Sequence, residues 1–192
     1  IIFMAVFVIL VILLVLYIVH ENYRRDQELM KYAQTDALTG LYNKETTKLR
    51  TDEILSTDKD MIHAFLILDM DCFKQINDGY GHAVGDIVLQ KFGQLLRDIF
   101  REDDIVGRIG GDEFVVVMKN IKMKEMAIAK AEELLTKTQQ YEIKELNGSA
   151  ISISIGIAMA PEDGECYMDL YKRADQALYQ AKRSGKARVC GY

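Results

Sequence analysis

Only three cysteines occur among the 192 residues, Cys72, Cys166 and Cys190, far apart and with no Cys-x-x-Cys spacing. That scarcity excludes a disulfide framework and a thiolate zinc site, and leaves three reduced thiols. Proline is scarcer still, with Pro161 alone, and the chain contains neither an internal repeat nor a low-complexity tract. Positive charge is in deficit: 24 Lys and Arg stand against 29 acids, a formal net charge of −5. A nucleic-acid surface needs a basic stripe, so nucleic acid is excluded as a partner class. A chain of this balance that handles phosphates must gather its cations locally.

Apolar length, by contrast, is abundant at one end. From Ile1 to Val19 every residue is apolar or Tyr17. A run of this length, at about 1.5 Å per helical residue, nearly crosses the roughly 30 Å of bilayer hydrocarbon, so a transmembrane helix is expected over residues 1–19. A secretory signal would open with basic residues and end at a small-residue cleavage site, and a buried core helix is the other alternative. The chain begins with Ile1 and is expected to be a piece of a longer protein. Arg24 and Arg25 follow the apolar run, which places the remainder on the cytoplasmic side of a plasma or inner membrane. Residues 20–34 form an expected juxtamembrane helix or linker, with Tyr23, Leu29, Met30 and Ala33 as its stripe. It is too short to establish a coiled coil, which takes about three or four heptads. The remaining domain is expected over residues 35–192.

Within that domain, helices are expected over Lys44–Leu55, Ala83–Phe100, Met123–Thr138 and Asp169–Ser184, where apolar residues recur at helical spacing. Ala64–Leu68 is a continuous apolar run, suited to a strand buried on both faces. Short strands are expected at Asp104–Ile109 and Phe114–Met118, joined by a hairpin, and Ser149–Ile157 alternates like a strand with one covered face. The order is α+β: a mixed central sheet with helices packed on it.

Two acidic sites fall at the ends of these elements. Arg108-Ile-Gly-Gly-Asp-Glu-Phe114 places Asp112 and Glu113 on a tight glycine turn, and Asp69 ends the apolar run. Gly-Gly-Asp alone is ordinary turn chemistry. If the two strands are neighbours, however, their carboxylates converge on one sheet edge. Converging oxygen ligands suit Mg²⁺, which is typically held by one or two carboxylates plus substrate phosphates, and such metals serve phosphoryl and nucleotidyl transfer. Lys74, Lys182 and Lys186 lie where phosphates would then be met. Taken singly, each is an ordinary solvated lysine.

From about Thr35 onward the chain resembles the GGDEF domain, the catalytic module of diguanylate cyclases. Gly110-Gly-Asp-Glu-Phe114 is the name motif. It is accompanied, in family order, by Asp36-Ala-Leu-Thr-Gly-Leu-Tyr-Asn43, Asp69-Met-Asp-Cys-Phe-Lys-Gln-Ile-Asn-Asp78, Tyr80-Gly-His-Ala-Val-Gly-Asp86 and Ala174-Asp-Gln-Ala-Leu-Tyr-Gln-Ala-Lys182. The resemblance implies a fold like the palm of nucleotidyl cyclases and polymerases, with a ferredoxin-like core. It also implies condensation of two GTP into cyclic di-GMP with release of pyrophosphate. By position, Asp69, Asp112 and Glu113 are implied as catalytic and, with the Met70 carbonyl, as holding Mg²⁺ or Mn²⁺. Glu113 matches a glutamate assigned to metal binding or to deprotonating the 3′-hydroxyl.

Asn77 and Asp86 match the guanine-binding pair. Phe73, Lys74, Lys182 and Lys186 match phosphate positions, although Lys186 stands where the family often has arginine, which costs a bidentate grip. Arg101 and Asp104 match the inhibitory site that binds the product. His82 lies within a motif with no chemical role beyond a structural hydrogen bond. A symmetric product made from one guanine pocket per domain implies a homodimer. Two other readings remain: an inactive module that binds GTP or cyclic di-GMP as a receptor, and a cyclase making a mixed guanine–adenine dinucleotide. The intact acids argue against the first, and Asp86 against the second.

Overall fold

The computed structural model describes residues 13–22, 24–25, 34–148 and 150–192. The chain forms two compact units, residues 1–35 and 36–192. In the first unit residues 13–22 are helical. Among the described residues no helix is long and apolar enough to cross a membrane. Residues 1–12 of the expected span, and all four residues of the expected juxtamembrane stripe, lie outside the described residues.

The second unit runs α1 (Lys44–Thr57), β1 (Ile62–Met70), α2 (Phe73–Tyr80), α3 (His82–Ile99), β2 (Ile105–Arg108), β3 (Glu113–Ile121), α4 (Lys124–Gln140), β4 (Ile153–Ala160), α5 (Tyr167–Arg183) and β5 (Val189–Gly191). A five-stranded sheet in the order β2-β3-β1-β4-β5 results. It is mixed, because β5 alone pairs parallel to its neighbour. This is the expected α+β architecture, with α2 and β5 added to the elements read from sequence.

Alternation along β1 divides the interior into two layers. Ala64, Leu66, Leu68 and Met70 point to one face, against Phe92 and Leu96 of α3 and Ala131 and Leu134 of α4. Phe65 and Ile67 point to the other, against Leu55 of α1 and Leu170, Ala174 and Leu178 of α5. Phe92 meets Phe114 edge to face, with ring centroids 4.9 Å apart. Each fully buried side chain of this size stabilises the fold by about 1.5–3 kcal/mol relative to leaving it in water.

The expectation for β4 is corrected by this layering. All eight of its residues are buried, Ser154 included. Its alternation of apolar and small residues does not mark a wet face. Instead, the small residues admit other groups. At Gly156 a Cβ would lie 2.0 Å from the Ala174 carbonyl oxygen of α5, so only glycine lets that helix pack directly on the strand.

Candidate active site

The carboxylates are brought together by strand register. β1 and β3 are antiparallel neighbours, and Asp69 is paired directly with Glu113. Residues so paired project to the same face, here the one covered by α5. The Lys182 ammonium of α5 lies 2.8 Å from Asp69 Oδ2. Asp112 stands one residue before β3, and its carbonyl accepts a bond from the Met70 N–H at 3.3 Å, so the hairpin tip is fastened to the end of β1. Met70 buries its side chain in the opposite core layer, leaving only its backbone at the site.

The tip has a second fastening that sequence reading missed. Arg108 donates from Nε and Nη2 to the Gly111 carbonyl at 3.1 and 2.8 Å, and from Nη1 to both oxygens of Asp36 at 3.1 and 3.3 Å. Burial would raise the Asp36 carboxyl, but hydrogen bonds from Thr39 and Arg108 outweigh it and hold the group below its ordinary value. The turn that carries Asp112 is thereby tied to the first residue of the domain unit. The presence of Arg108 and Asp36 in two of the quoted motifs was the available signal.

Electrostatics at the edge point the other way. Burial lifts Asp69 above its ordinary value despite Lys182, with Asp112 and Asp71 adding to the rise. Burial also lifts Glu113, and the neighbouring charges of Asp69 and Asp112 lift it further. Like charges held this close are stabilised by an added cation or by protons. Among the described residues no three histidine, cysteine or acidic side chains form a ready-made metal cluster. The donor set nonetheless fits Mg²⁺, which needs only one or two protein carboxylates when substrate phosphates and water supply the rest.

Asp69, Met70, Phe73, Lys74, Asp112, Lys182 and Lys186, together with Asp71 and Cys72, line one open cavity of about 260 Å³. A single hollow therefore collects the expected phosphate residues and every expected metal residue except Glu113. Lys186 follows α5, with its ammonium 3.2 Å from the Cys72 Sγ. Glu113 opens onto an adjoining cavity of about 610 Å³, which it lines with Asp175 and Lys182.

Asn77 and Asp86 lie beyond this hollow, on α2 and α3. A Cβ at Gly85 would fall 2.0 Å from Asn77 Oδ1 and 3.3 Å from Phe73 Cζ. Glycine at 85 therefore lets Asn77 and Phe73 of α2 pack against α3 next to the exposed Asp86. His82 is exposed at the start of α3. Arg101 and Asp104 form a separate turn between α3 and β2. Asp104 is buried and accepts from the backbone N–H of Arg101 at 3.1 Å and of Lys119 at 3.0 Å, while Arg101 is exposed.

Paired acids at the ends of adjacent antiparallel strands, faced by a lysine from a covering helix, fit the α+β cyclase class of fold. More narrowly, the family "Diguanylate cyclase, GGDEF domain" matches residues 33–188, and the chain belongs to it. Diguanylate cyclase DgcS of Shewanella oneidensis is 37% identical over 168 residues, covering 86% of this chain and 55% of that protein. Biofilm architecture maintenance protein MbaA of Vibrio cholerae is 35% identical over 182 residues, covering 90% of this chain and 23% of that protein. The chain thus spans only part of the curated relatives it matches.

Two solved structures are also similar. The coiled coil and GGDEF domain of DgcB from Caulobacter crescentus, in complex with c-di-GMP, superposes with a TM-score of 0.82 at 25% identity, covering 91% of this chain and 93% of that one. The GGDEF domain of TpbB (YfiN) from Pseudomonas aeruginosa gives 0.76 at 35% identity, covering 82% and 93%.

Proposed function

We propose that the chain is a diguanylate cyclase that condenses two GTP into cyclic di-GMP and pyrophosphate. The observation that carries this reading is the direct pairing of Asp69 with Glu113, with Asp112 adjacent and Lys182 across from them. Asn77 and Asp86 would hold guanine by its N1–H and N2 amino edge, which adenine lacks. Phe73 and the backbone around it, with Lys74, Lys182 and Lys186, would cradle the triphosphate. Asp69, Asp112, Glu113 and the Met70 carbonyl would hold Mg²⁺ or Mn²⁺, which when bound neutralises the triphosphate and activates the attacking oxygen.

The 3′-oxygen of one GTP attacks the α-phosphorus of the other, and the bond to the bridging oxygen of pyrophosphate breaks. Glu113 either ligates the metal or takes the 3′-hydroxyl proton. Lys182 and Lys186 offset the charge of the departing pyrophosphate. Repeating the step in the opposite direction closes the ring. This requires a second copy of the chain facing the first, in a homodimer of two-fold symmetry. Residues 1–19 would anchor the pair in the plasma membrane with the catalytic unit in the cytoplasm. Arg101 and Asp104 would bind the product as a feedback inhibitor.

The competing reading, an inactive module that binds GTP or cyclic di-GMP, has one observation in its favour. Cyclic di-GMP phosphodiesterase PdeR of Escherichia coli is also 32% identical over 170 residues, so domains of this sequence occur in proteins named for a different activity. Incubating the purified chain with GTP and Mg²⁺, in parallel with ATP, and identifying the product by mass spectrometry separates the two. Cyclic di-GMP from GTP alone supports the enzyme. GTP bound but unconverted supports the receptor.

A further inference from the structure

We propose that Asp71 is a positioning residue that locks the two phosphate-facing loops together and is not itself a metal ligand; this rests on the reading of the site given above. Asp71 stands two residues after Asp69, among acids that invite assignment as ligands. Its carboxylate is already committed. Oδ1 accepts from the Ser154 hydroxyl at 2.8 Å, and Oδ2 accepts from the Ser152 hydroxyl at 2.6 Å and the Ala187 N–H at 3.1 Å. Its own N–H donates to the Ser152 carbonyl at 2.8 Å. A carboxylate offers about four lone-pair sites, and three of them are occupied here, both on Oδ2 and one on Oδ1. One side chain therefore joins the end of β1, the start of β4 and the turn that follows α5.

The backbone around it carries the second observation. Among the described residues, those in the left-handed region that are neither glycine nor asparagine are Cys72 at φ 59°, Lys186 at φ 61° and Ala187 at φ 48°. Side chains with a Cβ avoid this region unless their surroundings over-determine it, and such residues gather at ligand clamps. All three adjoin Asp71: Cys72 follows it in the chain, Ala187 donates to it, and Lys186 precedes Ala187. The result of holding both loops this way is that Lys186 reaches Cys72 and lines the same hollow as Asp69, Lys74, Asp112 and Lys182. Loss of the tie releases Lys186 from the phosphate side without removing any acid from the metal side.

Asp71→Ala tests this, because it removes both acceptor oxygens. The Ala187 N–H and the two serine hydroxyls then lose their shared partner. Expected are faster hydrogen exchange in the 184–191 segment and GTP binding in Mg²⁺ weakened about tenfold, as for loss of one charge-assisted hydrogen bond. KM should rise to match, with an unchanged half-saturating Mg²⁺ concentration. Adding Ala187→Gly, which relieves the left-handed cost, should restore part of the GTP affinity. A metal ligand could not be rescued in that way.

If Asp71→Ala does not fold, Ser152→Ala leaves every acid in place and should give the same pattern with smaller size; an unchanged KM there overturns the proposal. So does wild-type exchange in the 184–191 segment of Asp71→Ala, or a Mg²⁺ requirement raised as far as in Asp69→Asn. A wild-type chain that binds GTP and makes no cyclic di-GMP would remove the cyclase reading but leave the exchange and binding results to decide on Asp71. A chain that does not bind GTP leaves the exchange result to decide alone.

Discussion

The two ends of β1 carry polar side chains in opposite states. At the start, His63 is 1% exposed, and both ring nitrogens are spent on backbone: Nδ1 accepts from the Asn120 N–H at 3.3 Å, and Nε2 donates to the Asp58 carbonyl at 3.3 Å. At the finish, Asp69 is also buried but faces Glu113 and Asp112, with Lys182 as its counter-charge. A buried polar group that serves the fold has its bonding capacity filled from within. One that serves chemistry is left with capacity for a ligand, and the fold tolerates the strain because the apolar layers on either side of the sheet hold the strands in register.

The sharpest way to break the contrast is Asp69→Asn. It removes one charge from the proposed metal site while keeping the shape of the side chain. Product formation should fall by about a thousandfold or more, as expected when a group stabilising transition-state charge is lost, with the chain still folded by circular dichroism. Normal turnover by this variant would sink the assignment of the carboxylate edge. Asp86→Ala should come next, lowering kcat/KM for GTP relative to ATP by about ten- to a hundredfold, the worth of a hydrogen bond to a charged group. An unchanged preference would place base recognition elsewhere.

His63→Ala tests the quiet end. It orphans the Asn120 N–H and the Asp58 carbonyl, so urea unfolding should show a loss of about 1–3 kcal/mol. KM for GTP should stay at the wild-type value, because nothing near the phosphate hollow changes. A KM that moved with stability would mean that the two ends are coupled through the strand.

The legibility of these regions in sequence follows the same division. β1 was readable because an unbroken apolar run can only be covered on both sides, and the hairpin was readable from glycines between β-branched stretches. The Asp69–Glu113 pairing was readable only conditionally, since no local pattern says which strands are neighbours. α2 was missed because it is only eight residues long and buries none of its side chains completely, although Phe73 and Ile76 pack against the core. β5 has three residues and exists because β4 offers it an edge. Ser154 looked like a solvent-facing position because its true partner, Asp71, lies 83 residues away in the chain. The Arg101–Asp104 motif was visible by residue type. The consumption of Asp104 by two backbone amides was not.

That consumption sharpens what to expect of the turn proposed to bind the product. Asp104 shapes the turn, and Arg101 is left exposed to meet a ligand, so a phosphate or guanine would be gripped chiefly by the guanidinium. Arg101→Ala should raise the cyclic di-GMP concentration needed for half-inhibition by about tenfold, if one such contact of roughly 1.4 kcal/mol is lost. Equal inhibition of variant and wild type would remove the site.

The smallest effect concerns stability and has the opposite sign from what a lost charge usually brings. Glu113 sits above its ordinary value of 4.5 because of burial and then the charges of Asp69 and Asp112. A carboxyl raised in this way holds its proton more tightly in the folded than in the unfolded chain. Its favourable contribution is complete below its ordinary value and is lost as pH rises through the raised one. Glutamine carries no charge to desolvate. In metal-free buffer, Glu113→Gln should therefore melt above the wild type near pH 7 and together with it near pH 4, the gap opening between them. With GTP and Mg²⁺ added the order should reverse, because a bound ligand stabilises only the chain that can hold it. A wild type that melts above the variant at every pH without metal would mean that Glu113 has a compensating partner, and that the carboxylate edge is as satisfied as the end that holds His63.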